Sequence, residues 1–140
     1  MWRRIGAFVA GLAIAFLLVE AAELGVHQLY PAPPGTNMSD MKAVKAYVGT
    51  LPPAAFVLVL AGWLVGTVAG TFAATRIARN PAPAYVLGAL LLAAGIANAI
   101  SIPQPLWFSI VSFVIYVAGT IAGARLGSPP LSALPASQPA

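Results

Sequence analysis

The chain has 140 residues, of which 60% are hydrophobic and 7% are charged, and its mean hydropathy is +0.90. A soluble domain of this composition would expose too much apolar surface to water, so we predict an integral membrane protein. The lack of cysteine excludes disulfides and thiolate-bound metals, and the basic residues behind the net charge of +4 are too scattered to bind a nucleic acid.

Four apolar stretches are long enough to cross a hydrocarbon core, which takes about 20 helical residues. In chain order they cover residues 5–26, 54–75, 84–102 and 106–124. We therefore predict an all-α fold, a polytopic membrane protein that consists of a four-transmembrane-helix bundle. Residues 1–126 then form a single membrane domain that contacts the lipid bilayer.

The first apolar stretch has a second interpretation. Arg3 and Arg4, the apolar run after them, and the small residues Ala21 and Ala22 are also typical of a secretory signal peptide. Apolar and small residues continue past that cleavage position, which favours a helix that is retained. The mature N-terminus would separate the two interpretations.

The loop between the first two spans, residues 28–53, contains a proline-rich stretch that cannot be helical. Ser39 and Asp40 then offer an N-cap, and Met41, Val44 and Val48 share one face of the segment that follows. We predict a short interfacial helix that lies on the outer membrane surface.

The basic residues predict the orientation of the spans, because cytoplasmic loops are enriched in Lys and Arg. Five arginines fall on one side of the predicted bundle: Arg3, Arg4, Arg76, Arg79 and Arg125. The other side has Lys42 and Lys45, in a loop that also contains Asp40. We therefore predict that both termini are cytoplasmic, in a bacterial inner membrane.

Residues 127–140 are rich in Ser, Pro, Ala and Leu and show no periodicity. This composition is typical of disordered segments, because it offers no apolar face to bury. We predict a disordered cytoplasmic tail.

Glycines recur at a spacing of four residues along two of the spans, and this spacing lets helices approach closely in a membrane. These predicted packing residues are Gly62, Gly66 and Gly70 in the second span and Gly119 and Gly123 in the fourth. They fit packing within the bundle, and they also fit a homo-oligomer or a contact with another membrane protein.

One face of the first span carries Glu20, Glu23 and His27. Glu20 lies about 22 Å from Ile5 along the helix axis, which places it inside the hydrocarbon. An acidic residue at this depth costs about 2.5–3.5 kcal/mol, so we expect it to face the bundle and to have a partner or a function.

Polar residues of other spans fall near the same depth. They are Asn98 in the third span and Ser109 and Ser112 in the fourth, with Tyr116 deeper on the same stripe. We predict a polar layer around Glu20. This layer has three possible roles. It could be a set of hydrogen bonds that fixes the register of the helices, or a proton or cation site of a transporter. The third role is a metal or haem site formed by Glu20, Glu23 and His27.

The structural interpretation makes the protein a small accessory or scaffold component of the membrane, which is our first expectation for its function. The alternative is a small transporter in which Glu20 is the coupling carboxyl. A glutamate in the first helix resembles the small four-helix multidrug transporters, but the long outer loop and the second glutamate depart from that pattern. No base accompanies Ser109 or Ser112, so we do not expect an enzyme. The chain has one histidine and no cysteine, so we do not expect a bound cofactor either.

Overall fold

The computed structural model describes residues 1–129, so positions 130–140 of the predicted tail lie outside the described residues. Within residues 1–129 the chain forms five α-helices and no strand, which confirms the predicted all-α class. The helices are α1 (Trp2–Leu29), α2 (Met41–Thr50), α3 (Pro53–Ala78), α4 (Ala82–Ser101) and α5 (Leu106–Gly127). Helix α5 thus includes Gly127, which the sequence analysis placed at the start of the tail.

Four helices, α1, α3, α4 and α5, are long and apolar enough to cross a membrane, and they correspond to the four predicted spans. They contain 28, 26, 20 and 22 residues. At a rise of 1.5 Å per residue, their lengths are about 30–42 Å, which matches or exceeds a hydrocarbon core of about 30 Å.

Prolines and short polar side chains define where the helices begin and end. Proline suits the first position of a helix, because its φ angle is already helical and a backbone N–H at that position would have no partner within the helix. Pro53 occupies this position in α3. The Asn80 side chain accepts a hydrogen bond of 2.8 Å from the Ala82 N–H where α4 begins. Asp40 accepts one of 2.9 Å from the Lys42 N–H and caps α2.

Helix α3 is the centre of the bundle, since it packs against α1, α4 and α5. The α1–α3 and α3–α5 interfaces are the most extensive, and α4 closes the bundle by packing against α3 and α5 and, least extensively, against α1. We call the end of the bundle that holds Met1 and Gly127 the terminal end, and the opposite end the α2 end.

Small residues form the α1–α3 interface. A Cβ atom built on Gly11 would lie 2.6 Å from the carbonyl oxygen of Gly70, and one built on Gly70 would lie 2.6 Å from the carbonyl oxygen of Gly11. Gly66 is similarly close, 3.0 Å, to the carbonyl oxygen of Ala15. The glycines of α3 therefore pack on α1 of the same chain.

The glycines of α5 pack on threonines of α3. A Cβ on Gly119 would lie 3.1 Å from Thr67 Cγ2, and one on Gly123 would collide with Thr71. The predicted glycine ridges of both helices thus pack against other helices of the same chain.

The core has a different composition at its two ends. The cluster nearer the terminal end consists of the small or compact residues Ala74, Ala84, Leu87 and Ala124. The cluster nearer the α2 end consists of large residues, namely Phe56, Leu60, Trp63, Phe108 and Tyr116. The terminal end of the core is thus built of small or compact side chains, and the α2 end of large, mainly aromatic ones.

Candidate ligand-binding cavity

A cavity of about 370 Å³ lies at the α2 end of the bundle. All four long helices line it, and so do Val48 of α2 and Leu51 directly after α2. Its walls are mainly apolar. The side chains with polar atoms that line it are Glu20, Glu23, Trp63, Asn98, Gln104 and Tyr116.

The two glutamates reach the cavity because close packing of α1 on α3 fixes the rotation of α1. Ala15 and Ala22 pack on the glycines of α3. At about 100° per residue, Glu23 lies about 80–100° around the helix from these alanines and Glu20 about 140–160°, both in the same direction and so on one side of the bundle. Glu20 and Glu23 are on that side and both line the cavity.

The two carboxyl groups have different surroundings. Glu23 Oε1 accepts a hydrogen bond of 2.9 Å from the indole Nε1 of Trp63, across the α1–α3 interface. Glu20 is exposed, as Glu23 is, but its side chain takes part in no hydrogen bond within residues 1–129. Glu23 therefore has a partner in the folded protein, and Glu20 is the carboxyl that lacks one.

Aromatic rings form the wall behind the glutamates. Trp63, which is only 5% exposed, stacks on Tyr116 with a centroid separation of 5.6 Å and an interplanar angle of 23°. Phe108 lies 5.3 Å from Trp63, centroid to centroid. Tyr116 is 7% exposed and lines the cavity, and its hydroxyl makes no side-chain hydrogen bond in the described part of the chain.

Helix α2 borders the cavity through Val48, which packs against the aromatic cluster, and Tyr47 joins α2 to the rest of the chain. The Tyr47 hydroxyl donates a hydrogen bond to the carbonyl oxygen of Tyr30 and lies 3.4 Å from His27 Nδ1. A tyrosine hydroxyl carries its proton at neutral pH and can donate, and burial raises the pKa of Tyr47 further above its usual value.

The structure places the residues of the predicted polar layer in two groups. Those that line the cavity are Glu20, Glu23, Asn98 and Tyr116. Ser109 and Ser112 are not among its lining residues: Ser109 Oγ accepts a bond of 2.9 Å from Gln104 Nε2, and Ser112 Oγ donates one of 2.8 Å to the Ser109 carbonyl oxygen. The two serine side chains therefore bond to Gln104 and to the Ser109 backbone, and neither bonds to Glu20.

The three residues of the predicted metal or haem site are not brought together as a set of metal ligands. Glu20, Glu23 and His27 do not form a group that could hold a metal ion, and residues 1–129 contain no such group. His27 lies seven residues beyond Glu20, about 10 Å along the helix axis, and its ring contacts Tyr47 instead. Glu23 is directed to Trp63.

The residue that sequence reasoning missed as a partner is Trp63. Its position about ten residues into α3 places it about 15 Å from the start of that helix, and Glu23 lies about 9 Å from the end of α1. Since both of these helix ends are on the α2 side, the two residues lie at similar depths, and their side chains could reach each other. Whether they meet depends on how each helix is rotated about its axis, which the depths do not show.

Comparison with protein-family models, curated proteins and solved structures gave no match.

Proposed function

We propose that this protein binds a small cation in the cavity at its α2 end and exchanges it for a proton on Glu20, as a small membrane transporter would. The observation that carries the proposal is the cavity of about 370 Å³ that reaches Glu20. Its volume falls in the range of about 300–1,000 Å³ that is typical of small-molecule sites.

The charge of the lining supports a cationic ligand. Two glutamates line the cavity, and none of the described residues that line it is lysine, arginine or histidine. The aromatic faces of Trp63 and Tyr116 add a surface that attracts cations through the ring quadrupole. Both features favour a positive ligand over an anionic one.

Glu20 is the carboxyl we assign to the exchange, because Glu23 is already hydrogen-bonded to Trp63. A bare carboxylate is costly in an apolar cavity, so it favours a state in which a proton or a cation neutralises it. Cation binding then releases the proton: the neutral carboxyl and the free cation become a carboxylate–cation pair and a free proton.

Glu20→Gln should abolish this exchange, because glutamine keeps the shape of the side chain but carries no charge. Benzyltrimethylammonium, added to the purified full chain in weakly buffered detergent solution, should bind with release of a proton. Binding should weaken as the pH is lowered, since protons compete for Glu20; the other titratable groups that line the cavity are Glu23 and Tyr116. In Glu20→Gln the affinity should fall by about ten- to a hundredfold, the value of a lost charge-assisted contact.

Asp40→Asn is the matched control, since it also removes one acidic charge but lies in the cap of α2, where asparagine serves equally well. It should bind the probe like the wild-type protein. Equal binding by Glu20→Gln and wild type, or binding without proton release, would contradict the proposal.

The hydrogen bond between Glu23 and Trp63 favours a second candidate, an accessory or scaffold component in which the carboxyl has a structural role. In a membrane such a bond fixes how α1 sits on α3. The binding experiment with benzyltrimethylammonium distinguishes the two candidates, because an accessory component would bind no probe and release no proton.

We further propose a bacterial inner-membrane location with both termini in the cytoplasm and α2 on the outer surface. The guanidinium of Arg3 donates a bond of 3.1 Å to the Ala78 carbonyl oxygen, so the start of α1 and the end of α3 lie together at the arginine-rich end. Cytoplasmic ends are the arginine-rich ones. Helix α2 has no buried residue and a capped start, as suits a helix on a surface.

Cysteine labelling should report this orientation, since the chain has no cysteine of its own. In intact cells, a membrane-impermeant maleimide should label Ser39→Cys, near the start of α2, and should not label Ser128→Cys, just after α5. Labelling of Ser128→Cys in intact cells would reverse the assignment.

A further inference from the structure

We infer that the ligand of this cavity is an amphipathic amine that enters sideways from the bilayer, through the gap between α1 and α4. This inference rests on the proposed function and adds to it the chemical class of the ligand and its route.

The gap follows from how α1 and α4 pack. Of the long helices that touch, this pair makes the least extensive contact. They are close at the terminal end, where a Cβ on Gly11 would lie 3.1 Å from Leu87 Cδ2. Nearer the α2 end, Phe16 of α1 is 60% exposed and Ala94 of α4 is exposed, although both line the cavity. The cavity therefore opens between these two residues.

The α2 end of the cavity is partly covered. At the α2 end the cavity is lined by the half-buried residues Val48, Leu51, Ile102 and Gln104. Val48 and Leu51 also pack against the aromatic cluster, and Tyr47 ties α2 to the backbone after α1. Since a spanning helix presents its sides to lipid, the open face between α1 and α4 meets the hydrocarbon rather than the solvent.

The lining then selects the ligand among molecules that dissolve in a bilayer. Trp63, Phe108 and Tyr116 offer aromatic surface for an apolar body. Glu20, at the open side, offers a carboxylate for an ammonium group. Tyr116, which is 7% exposed, also lines the cavity, and its hydroxyl makes no side-chain hydrogen bond among the described residues. Apolar body and protonated nitrogen together define an amphipathic amine.

The test uses the full chain in lipid nanodiscs and three probes: 4-phenylbutylamine, its neutral counterpart 4-phenylbutanol, and the water-soluble methylamine. The wild-type protein should bind 4-phenylbutylamine with release of a proton, and it should bind the alcohol about tenfold or more weakly, since the alcohol lacks the charge-assisted bond. Methylamine should bind weakly, because it leaves the aromatic wall uncovered.

Ala94→Trp should close the gap and reduce the association rate of 4-phenylbutylamine by about tenfold or more, whereas Ala97→Trp should leave it unchanged. Ala97 is the matched control because it is exposed on the same helix and does not line the cavity. If Ala94→Trp fails to fold, Ala94→Cys can be folded first and then blocked with a bulky maleimide, with Ala97→Cys as its control.

The outcomes separate this inference from the proposed function. Strong Glu20-dependent binding of methylamine, with no effect of a block at Ala94, would overturn the lipid route and leave the cation exchange in place. Equal binding of the amine and the alcohol, unchanged in Glu20→Gln, would identify a site for apolar or lipid chains and overturn both. Binding of no probe would also overturn both.

Discussion

Replacing Trp63 by alanine is expected to lower the free energy of unfolding by about 3–5 kcal/mol, the usual loss when a buried tryptophan is truncated. Trp63 is 5% exposed, stacks on Tyr116 and contacts Phe108, so its removal leaves a void in the aromatic cluster. It also leaves Glu23 without its hydrogen-bond donor. Unfolding followed by SDS titration of the protein in mixed micelles would measure the loss.

Two further variants separate packing from hydrogen bonding. Trp63→Phe keeps a ring and removes the N–H, so its loss should be smaller; hydrogen bonds between membrane helices are worth about 0.6 kcal/mol on average and about 1.7 kcal/mol at most. Trp2→Ala, at an 83% exposed tryptophan, is the matched control and should have almost no effect. A Trp63→Ala protein as stable as Trp2→Ala would show that this cluster does not hold the α2 end together.

Adding one methyl group at Gly70 is expected to destabilise the protein by about 1–3 kcal/mol, as overpacking does. The Cβ of alanine would lie 2.6 Å from the Gly11 carbonyl oxygen and 2.7 Å from Ala15 Cβ. Since the closest of these atoms is backbone, α1 and α3 would have to move apart. Thermal unfolding in detergent would report the change.

Gly25→Ala is the control for this prediction, because no atom lies within 4 Å of the position that its Cβ would take. It should be neutral or slightly stabilising, since alanine favours a helix by about 0.5–1 kcal/mol over glycine. Gel filtration in detergent should accompany both measurements. If Gly70→Ala kept the stability of the wild type and only dissociated an oligomer, the glycines of α3 would serve contacts between chains instead of the packing on α1.

The sequence was sufficient for the helices themselves. Continuous apolar stretches about as long as a bilayer is thick have one stable form in lipid, because only a helix satisfies every backbone hydrogen bond within the segment. The start of α2 was also predictable from Asp40, since its side chain caps a helix through a local contact with Lys42. Local spacing also placed Glu20, Glu23 and His27 on one side of α1.

The contacts between helices could not be predicted in this way, because the sequence is compatible with several rotations of each helix. It grouped Glu20 with Ser109 and Ser112 by depth, yet the serines bond within their own segment and Glu23 is the residue that meets Trp63. Depth is a property of one helix, whereas these contacts depend on the rotation of two.

The physical reason lies in the composition of the spanning helices. They are apolar on almost every side, so no hydrophobic face indicates which side turns inward, as it would in a soluble bundle. Rotation is instead decided by the fit of small residues across the interfaces, Gly11 against Gly70 above all. The sequence alone thus determined that four long helices form and where the acidic residues lie along them. Only the tertiary packing decided that Glu23 would be bonded, that Glu20 would be left free, and that a cavity would open beside it.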